Sequence, residues 1–271
     1  GAGCGEGLRG NDGRFCRLEQ HRARLALSAR ARGFAEIPAP EAIRREIART
    51  LEANGMRDGA HVRLTLSRGL KITSGMDPRL NQAGPTLIVL AEHKAPVYDR
   101  AGLRLVTSSI RRFPPDCLDP KIHHNNLLQS ILAKIEANAA GADDAILLDT
   151  RGFVAETNAT HLFLVEDGVL ATPRCVACPE GITRAAVLGI CRARGLAHRV
   201  DDLSLAEFHR ADEVFCTGTM GELAGVVEID GRRIGRGAVG PLTKELSELY
   251  AELTRRESEP RQAFTSRTDG S

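Results

Sequence analysis

The chain predicts an α+β, or irregular α/β, fold, and three observations predict it. Helical and strand periodicities are interleaved along the 271 residues without the strand–helix–strand alternation of a doubly wound sheet. Hydrophobic residues make up 42% and charged residues 27%, enough apolar surface for a packed core and too much for disorder. No stretch repeats internally, and the length suits one large domain or two smaller ones.

The elements follow in order. The Gly-rich start GAGCGEGLRG reads as a turn-rich strand edge. Ile43, Ile47 and Leu51 recur at i, i+4 and i+8 over residues 38–54, an amphipathic helix entered through proline and ended near Gly55. Strand-like runs follow at 62–66, 86–90 and 103–108, the first two separated by the polar loop SRGLKITSGMDPRLNQAGP. The prolines of RRFPPDCLDPK end the first half. A helix over 125–140 is expected to face the core through Leu128, Ile131, Leu132 and Ile135. Short strands at 145–149, 153–156, 161–165 and 169–172 precede a helix (183–194), a strand (198–201) and a short helix (205–210). Strands at 213–217 and 225–229 and a last helix (240–255) complete the chain, with IDGRRIG as an Asp-Gly hairpin. This reading gives a small α/β domain over 1–112, a linker over 113–120, a larger domain over 121–257 and a polar, frayed tail over 258–271.

Composition excludes several functions. Thirty-seven Lys and Arg against 35 Asp and Glu give a formal charge of +2, and aromatics are 4% with no Trp, so no basic, aromatic-interleaved surface suits nucleic acid. No apolar run approaches a membrane span, and the first residues lack the charged and apolar regions of a secretory signal. Seven cysteines, an odd number at scattered spacings, read as free thiols of a reducing compartment, with the cytoplasm as the expectation.

Several motifs carry candidate chemistry. A dinucleotide loop at the start is disfavoured, because Leu8 stands where the third glycine of GxGxxG would fall and no strand precedes it. Cys175 and Cys178 form a CxxC without a second ligand pair at zinc spacing, so no metal is expected. His123 and His124 are adjacent and point apart. Lys121 stands just before an apolar helix, and Glu156 ends a strand. In EGITR, Gly181, Ile182 and Thr183 sit at a helix N-terminus, where backbone N–H groups favour an anion such as phosphate. Thr217, Gly218 and Thr219 make a second hydroxyl-bearing turn. One lysine, one acidic strand end and two such turns are the parts of a pyridoxal phosphate site. Arg79, in SGMDPR, is a further candidate for a substrate carboxylate, weighed against a surface loop arginine.

Taken together, EGLR, RLEQHxxRL, KxxxN, GADDAILLD, GxVAET, GITR, TGTMGEL and IDGRxIGxGxxGPLT resemble the class IV, or fold-type IV, pyridoxal phosphate enzymes, over Gly7 to Tyr250. The last blocks are most similar to the branched-chain amino acid aminotransferases. The resemblance implies a small N-terminal α/β domain whose first strands precede residue 1, and a larger pseudo-barrel domain. It implies Lys121 as the Schiff-base lysine, followed by Asn125, and Glu156 as the carboxylate under the pyridine nitrogen. Arg24 would bind the cofactor phosphate with Ile182, Thr183, Gly218 and Thr219. Met220 and Gly221 would receive the substrate α-carboxylate, with Arg63 at the distal carboxylate of glutamate and Arg9 in the place of a neighbouring active-site arginine. The implied activity is transamination between a branched-chain or related aliphatic amino acid and 2-oxoglutarate, by a homodimer. A D-amino acid aminotransferase, an aminodeoxychorismate lyase-type enzyme and a catalytically silent cofactor-binding protein are the alternatives. The chain departs from the family pattern at Gly5, His61, Asn126, His161 and Cys178-Pro179-Glu180.

Overall fold

The computed structural model describes residues 3–11, 14–95, 98, 101–257 and 259–260, so most of the expected tail lies outside the described residues. In chain order the elements are β1 (Cys4–Asn11), β2 (Arg14–Phe15), α1 (Leu18–Ala31), α2 (Pro40–Ala53), β3 (Ala60–Ser67), β4 (Thr86–His93) and β5 (Leu103–Arg111). Then come α3 (Pro115–Leu118), α4 (Leu128–Ala139), β6 (Asp144–Leu148), β7 (Val154–Thr157), β8 (His161–Glu166), β9 (Val169–Pro173) and α5 (Ile182–Arg194). The last are β10 (His198–Asp201), α6 (Leu205–Arg210), β11 (Glu213–Gly218), β12 (Glu222–Ile229), β13 (Arg232–Arg233), α7 (Pro241–Glu257) and β14 (Glu259–Pro260). They form two compact units, residues 1–95 with 122–126 and 254–271, and residues 96–121 with 127–253.

The first unit is an antiparallel sheet in the order β14–β2–β1–β3–β4. Side chains alternate across a strand. Cys4, Glu6 and Leu8 of β1 and Val62, Leu64 and Leu66 of β3 therefore share one face, all of them buried. Leu18, Leu25 and Ala29 of α1 and Ile43, Ile47 and Leu51 of α2 cover that face. Proline at its first turn and the isoleucine spacing make α2 legible in sequence. No expectation fell on α1, because its buried set includes His21 and Ser28 beside Leu18, Leu25 and Ala29, which dilutes the apolar period.

The second unit is built on a nine-stranded sheet in the order β10–β9–β8–β11–β12–β5–β6–β7, with β13 on β12. Most neighbours are antiparallel, while β10–β9, β12–β5 and β5–β6 are parallel. The sheet curls so that β7 returns against β8 and β9. Its strands alternate between two apolar faces. Ile146, Leu148, Leu162, Leu164, Val214 and Cys216 fill the inside of the curl with Phe208 of α6. Phe163, Val165 and Phe215 face out against Val187 and Ile190 of α5 and Leu246 and Tyr250 of α7. Phe163 and Phe215 are register partners whose rings stack with centroids 5.0 Å apart. Buried on both faces, these strands read as continuous apolar runs, the pattern that made them recognisable. The expected Asp-Gly hairpin is present: Asp230 and Gly231 both have positive φ, 52° and 72°, between β12 and β13.

Two expectations are corrected. Ending the first half at 112 leaves β5 in the small domain, yet β5 pairs with β12 and β6 in the second unit's sheet. Proline after the strand ends a strand without ending a domain. The helix expected over 125–140 begins at Leu128, and Asn125 instead donates its backbone N–H to Gly3 O at 2.9 Å in the first unit. Its core face is also different. Ala133 and Ala137 are buried against Ala145 and Leu147, while Leu128, Ile131 and Ile135 are 55–60% exposed. Small side chains let α4 lie close on β5 and β6.

That reversal sets a test. Ala137→Leu forces extra methylenes into a filled contact and is expected to cost about 1–3 kcal/mol. Ile135→Ala is expected to cost under about 0.5 kcal/mol. Urea unfolding of both variants reads the difference, and the opposite order would restore the face expected from sequence.

Candidate active site

In the second unit, β7 places Glu156 at a buried position opposite Leu147 of β6. Its Oε1 lies 2.8 Å from Arg112 Nη2, and the same nitrogen donates to Thr157 O at 3.2 Å. Arg112 follows β5 directly, so the pair spans β6 and ties its two flanking strands together. The Arg112 Nε is buried without a hydrogen-bond partner. Sequence reasoning singled out Glu156 but not Arg112, since only tertiary pairing sets this arginine apart from Arg111.

The turn between β7 and β8 is closed by Thr157 Oγ1, which accepts from Thr160 N at 2.8 Å. A Cβ on Gly218 would come within 2.9 Å of Thr160 Cγ2, so a side chain there would push the threonine aside. Thr217, at the end of β11, has a buried Oγ1 without a hydrogen-bond partner. Thr219, Met220 and Gly221 form the turn into β12. Tyr98 lies over Gly221, where a Cβ would meet its ring at 2.3 Å, and the tyrosine hydroxyl donates to Asp144 Oδ2 at 2.5 Å. Burial and the nearby Cys216 and Asp144 push the Tyr98 hydroxyl far above its ordinary value. Tyr98 carried no sequence signal.

Helix α5 starts after Gly181 with no side chain capping it, and Ile182 and Thr183 form its first turn. The Thr183 hydroxyl is 3.5 Å from the Tyr250 hydroxyl. The helix ends at Gly195 in the left-handed conformation. Lys121 is half exposed, its Nζ 3.6 Å from Glu180 Oε1, and its backbone N–H donates to Asp119 Oδ1 at 2.9 Å. The structure thus sets the lysine beside the glutamate that leads into α5, and sets Glu156 beside Arg112.

Folding also gathers a cluster that the sequence did not. His161, at the start of β8, lies with Cys175 and Cys178 so that one ligand atom from each falls within 4.8 Å of the others. Cys178 and His161 are buried and Cys175 is partly so. His161 Nε2 lies 2.7 Å from Pro179 O. A hydrogen bond from the Cys178 thiol, reinforced by His161, holds Cys175 well down, to about 4, while the same bond and burial push Cys178 up. Burial works against the charged imidazole of His161, but the Cys175 bond, the nearby Glu156 and Cys175 charges and the Pro179 carbonyl together outweigh it, and the ring is raised.

In the first unit, Arg9 and Arg63 stand on the sheet face opposite the helices, Arg9 across from His61 and Arg63 across from Gly7. Arg63 Nη2 donates to Asn125 Oδ1 at 3.4 Å, and a Cβ at Gly5 would meet both groups within 2.8 Å, which explains a glycine there. Arg24 projects from α1 onto Glu6, donating from Nε to Oε1 at 2.8 Å and from Nη2 to Oε2 at 2.7 Å. His21 Nδ1 lies 2.7 Å from Glu6 Oε2, and His123 Nδ1 lies 3.3 Å from Oε1. Glu6 points inward with Leu8, a carboxylate at an inward position of an alternating strand. That was the sequence signal available and unused. Arg79 pairs with Asp77 and lines a groove of about 550 Å³ with Arg32 and Arg68.

Residues 3–229 match the family model for class IV aminotransferases. An Arabidopsis thaliana protein named branched-chain-amino-acid aminotransferase-like protein 2 is 54% identical over 250 residues. That match takes in 92% of this chain but 45% of the relative, so the chain spans about half the length of this plant protein. A solved T.th. branched-chain amino acid aminotransferase, complexed with N-(5'-phosphopyridoxyl)-L-glutamate, superposes with a TM-score of 0.86 at 36% identity, over 94% of this chain and 86% of that one. The Thermoproteus uzoniensis branched-chain aminotransferase with norvaline gives 0.88 at 28% identity, over 96% and 90%.

The Glu6 cluster predicts acid lability with a definite sign. Burial would raise Glu6, but hydrogen bonds from Arg24, His123 and His21 hold it well below the usual carboxylate range. Burial holds His21 below its ordinary value, against its bond to Glu6. The unfolded chain therefore takes up protons first at both groups, so stability is complete near neutrality and falls with pH. Loss is expected to begin below about pH 6.5 through His21 and to deepen below about pH 4.5 through Glu6. Glu6→Gln, which leaves Arg24 facing a neutral group, is expected to cost about 3 kcal/mol at pH 7 and to flatten the acid limb. Urea unfolding at a series of pH values checks this, and an unchanged slope in the variant would refute it.

Proposed function

The chain belongs to the class IV aminotransferases, and from that premise we propose that it moves an amino group between a branched-chain or related aliphatic amino acid and 2-oxoglutarate on pyridoxal 5'-phosphate. The observation that carries the reading is Glu156, a carboxylate buried in the second unit and held by Arg112 at 2.8 Å. The residues of this unit fit the cofactor. The uncapped start of α5 offers amides to a phosphate, and the orphaned Thr217 hydroxyl, beside Gly218 and Thr219, offers a further polar contact.

When bound, the cofactor supplies an electron sink for bond breaking at the amino acid's α-carbon. Glu156 holds a proton on the ring nitrogen by ion pairing, and Arg112 fixes that carboxylate in place. Lys121 would supply the amine that holds the cofactor and the base for proton transfer at the substrate α-carbon. Phosphate binding falls to the amides of Ile182 and Thr183 and to the Gly218–Thr219 turn, because two donors of Arg24 are taken by Glu6. Backbone amides at Met220 and Gly221 receive the α-carboxylate, with the Tyr98 ring excluding water from that turn. In the first unit, Arg9 and Arg63 present two guanidinium groups on one sheet face, chemistry suited to the second carboxylate of 2-oxoglutarate. The reading includes a homodimer, and the seven free cysteines suit a cytoplasmic, reducing setting.

The test is a donor panel of both enantiomers of leucine, valine and alanine with 2-oxoglutarate. Turnover of L-leucine and L-valine is expected. Preference for D-alanine, or product formation without a keto acid, would reassign the chain within the family, and no shift of the cofactor absorbance by any amino acid would leave a silent binder. Lys121→Ala is expected to lower turnover by about 10²–10⁴-fold or more. Glu156→Gln is expected to lower turnover by about 10²-fold or more while phosphate affinity changes little. Full activity of either variant would displace that residue from its role.

A further inference from the structure

Outside the transamination chemistry, one group of side chains has the composition and placement of a metal site. His161 comes from the start of β8, and Cys175 and Cys178 come from the turn that links β9 to α5. Thirteen residues lie between the histidine and the first cysteine, a spacing that hid the third ligand from sequence reading. Two of the three positions, His161 and Cys178, are places where the chain departs from the family pattern it otherwise follows.

We propose that His161, Cys175 and Cys178 form a binding site for a thiophilic divalent cation, zinc in the first instance, with a water in the fourth position. Four features of the structure support it. The three ligand atoms already lie within 4.8 Å of one another, and a tetrahedral zinc with Zn–S near 2.3 Å and Zn–N near 2.0 Å needs them about 3.5–3.8 Å apart, an adjustment within side-chain reach. His161 Nε2 donates to Pro179 O at 2.7 Å, which leaves Nδ1 to turn its lone pair toward the sulfurs; a backbone carbonyl holding the far nitrogen is the usual outer partner of a ligating histidine. Gly181 leaves that edge of the ring clear, since a Cβ there would stand 2.6 Å from Nδ1. The ligand turn is fixed from behind by Arg184, whose Nη2 donates to Pro173 O at 2.8 Å and whose Nε donates to Thr172 Oγ1 at 3.2 Å.

The charge balance suits a buried place. Two thiolates and a neutral imidazole around a dication sum to zero, so the ion brings no net charge into a site where His161 and Cys178 are buried. Binding displaces the Cys178 thiol proton and the proton shared by His161 and Cys175, and both leave to solvent. Three protein ligands with one water is the open arrangement of a zinc site, and the partly exposed Cys175 marks its solvent side. Bound metal would tie β8 to the turn ahead of Gly181 and so hold the N-terminus of α5 in place. The proposal does not depend on the amino donor or on transamination itself.

The test uses the cofactor-loaded protein with its thiols reduced by a phosphine. After equilibration with zinc and dialysis, metal analysis is expected to find one zinc per chain, and zinc-edge X-ray absorption to find two sulfur neighbours at about 2.3 Å. Cys175→Ser is expected to weaken binding by at least about tenfold, as loss of a ligand should, and His161→Asn likewise. Cys117→Ser, at an exposed thiol elsewhere, is expected to bind as the parent does. Zinc absent from the parent protein, a shell without sulfur, or unchanged stoichiometry and affinity in Cys175→Ser would overturn the proposal. The parent measurement decides even if a ligand variant fails to fold.

Discussion

The ion pair of Arg112 and Glu156 is the contact that ties together the strands at one end of the second unit's sheet. A carboxylate buried in a curled sheet is tolerable only when a cation and hydrogen bonds replace the water it has lost. Arg112 provides that replacement from the residue after β5, reaching across β6 to β7. The pair therefore ties the edge strand β7 to β5 across β6 and holds a buried negative charge in place. A buried pair of this kind adds little net stability over apolar packing.

Around that pair the sheet works as a rigid frame. Residues of alternate parity fill the curl or meet α5 and α7, and the stacked Phe163 and Phe215 lock β8 to β11 in register. One-residue slips would exchange the two faces and bury the wrong side chains. The turns at the strand ends inherit this precision: Thr157 with Thr160, Gly218 under Thr160, and Gly221 under Tyr98 approach one another more closely than any larger residue would allow. The frame leaves the buried Thr217 hydroxyl without a hydrogen-bond partner and the start of α5 without a side-chain cap.

The first unit solves a comparable problem differently. Glu6 faces the helices from the middle of β1, and Arg24, His21 and His123 close around it. Arg24 matches an arginine that the family resemblance assigns to phosphate, but its planar fork here meets the carboxylate of its own unit, a bidentate match that two donors at 2.7 and 2.8 Å describe well. A motif fixes the identity of a residue and its helix, whereas the partner its side chain meets depends on what the opposing strand carries.

Local patterns in the chain determined most of the strands, α2 and α5, the Asp-Gly hairpin, the family, and the placement of Glu156, Thr183 and Gly218 at element ends, because each is written in period, turn chemistry or short motifs. Several outcomes depended on the tertiary structure. Helix α4 presents alanines to the sheet and leaves its larger apolar residues outside, since close approach to β5 and β6 requires small side chains. Strand β5 joins the second unit, α1 hides its period behind an inward histidine and serine, and Arg112, Tyr98 and the His161–Cys175–Cys178 cluster emerge from residues far apart in sequence. The physical reason is common to all of them: periodicity records which faces prefer to leave water, while contacts between distant segments select which of those faces, and which charges, are brought together.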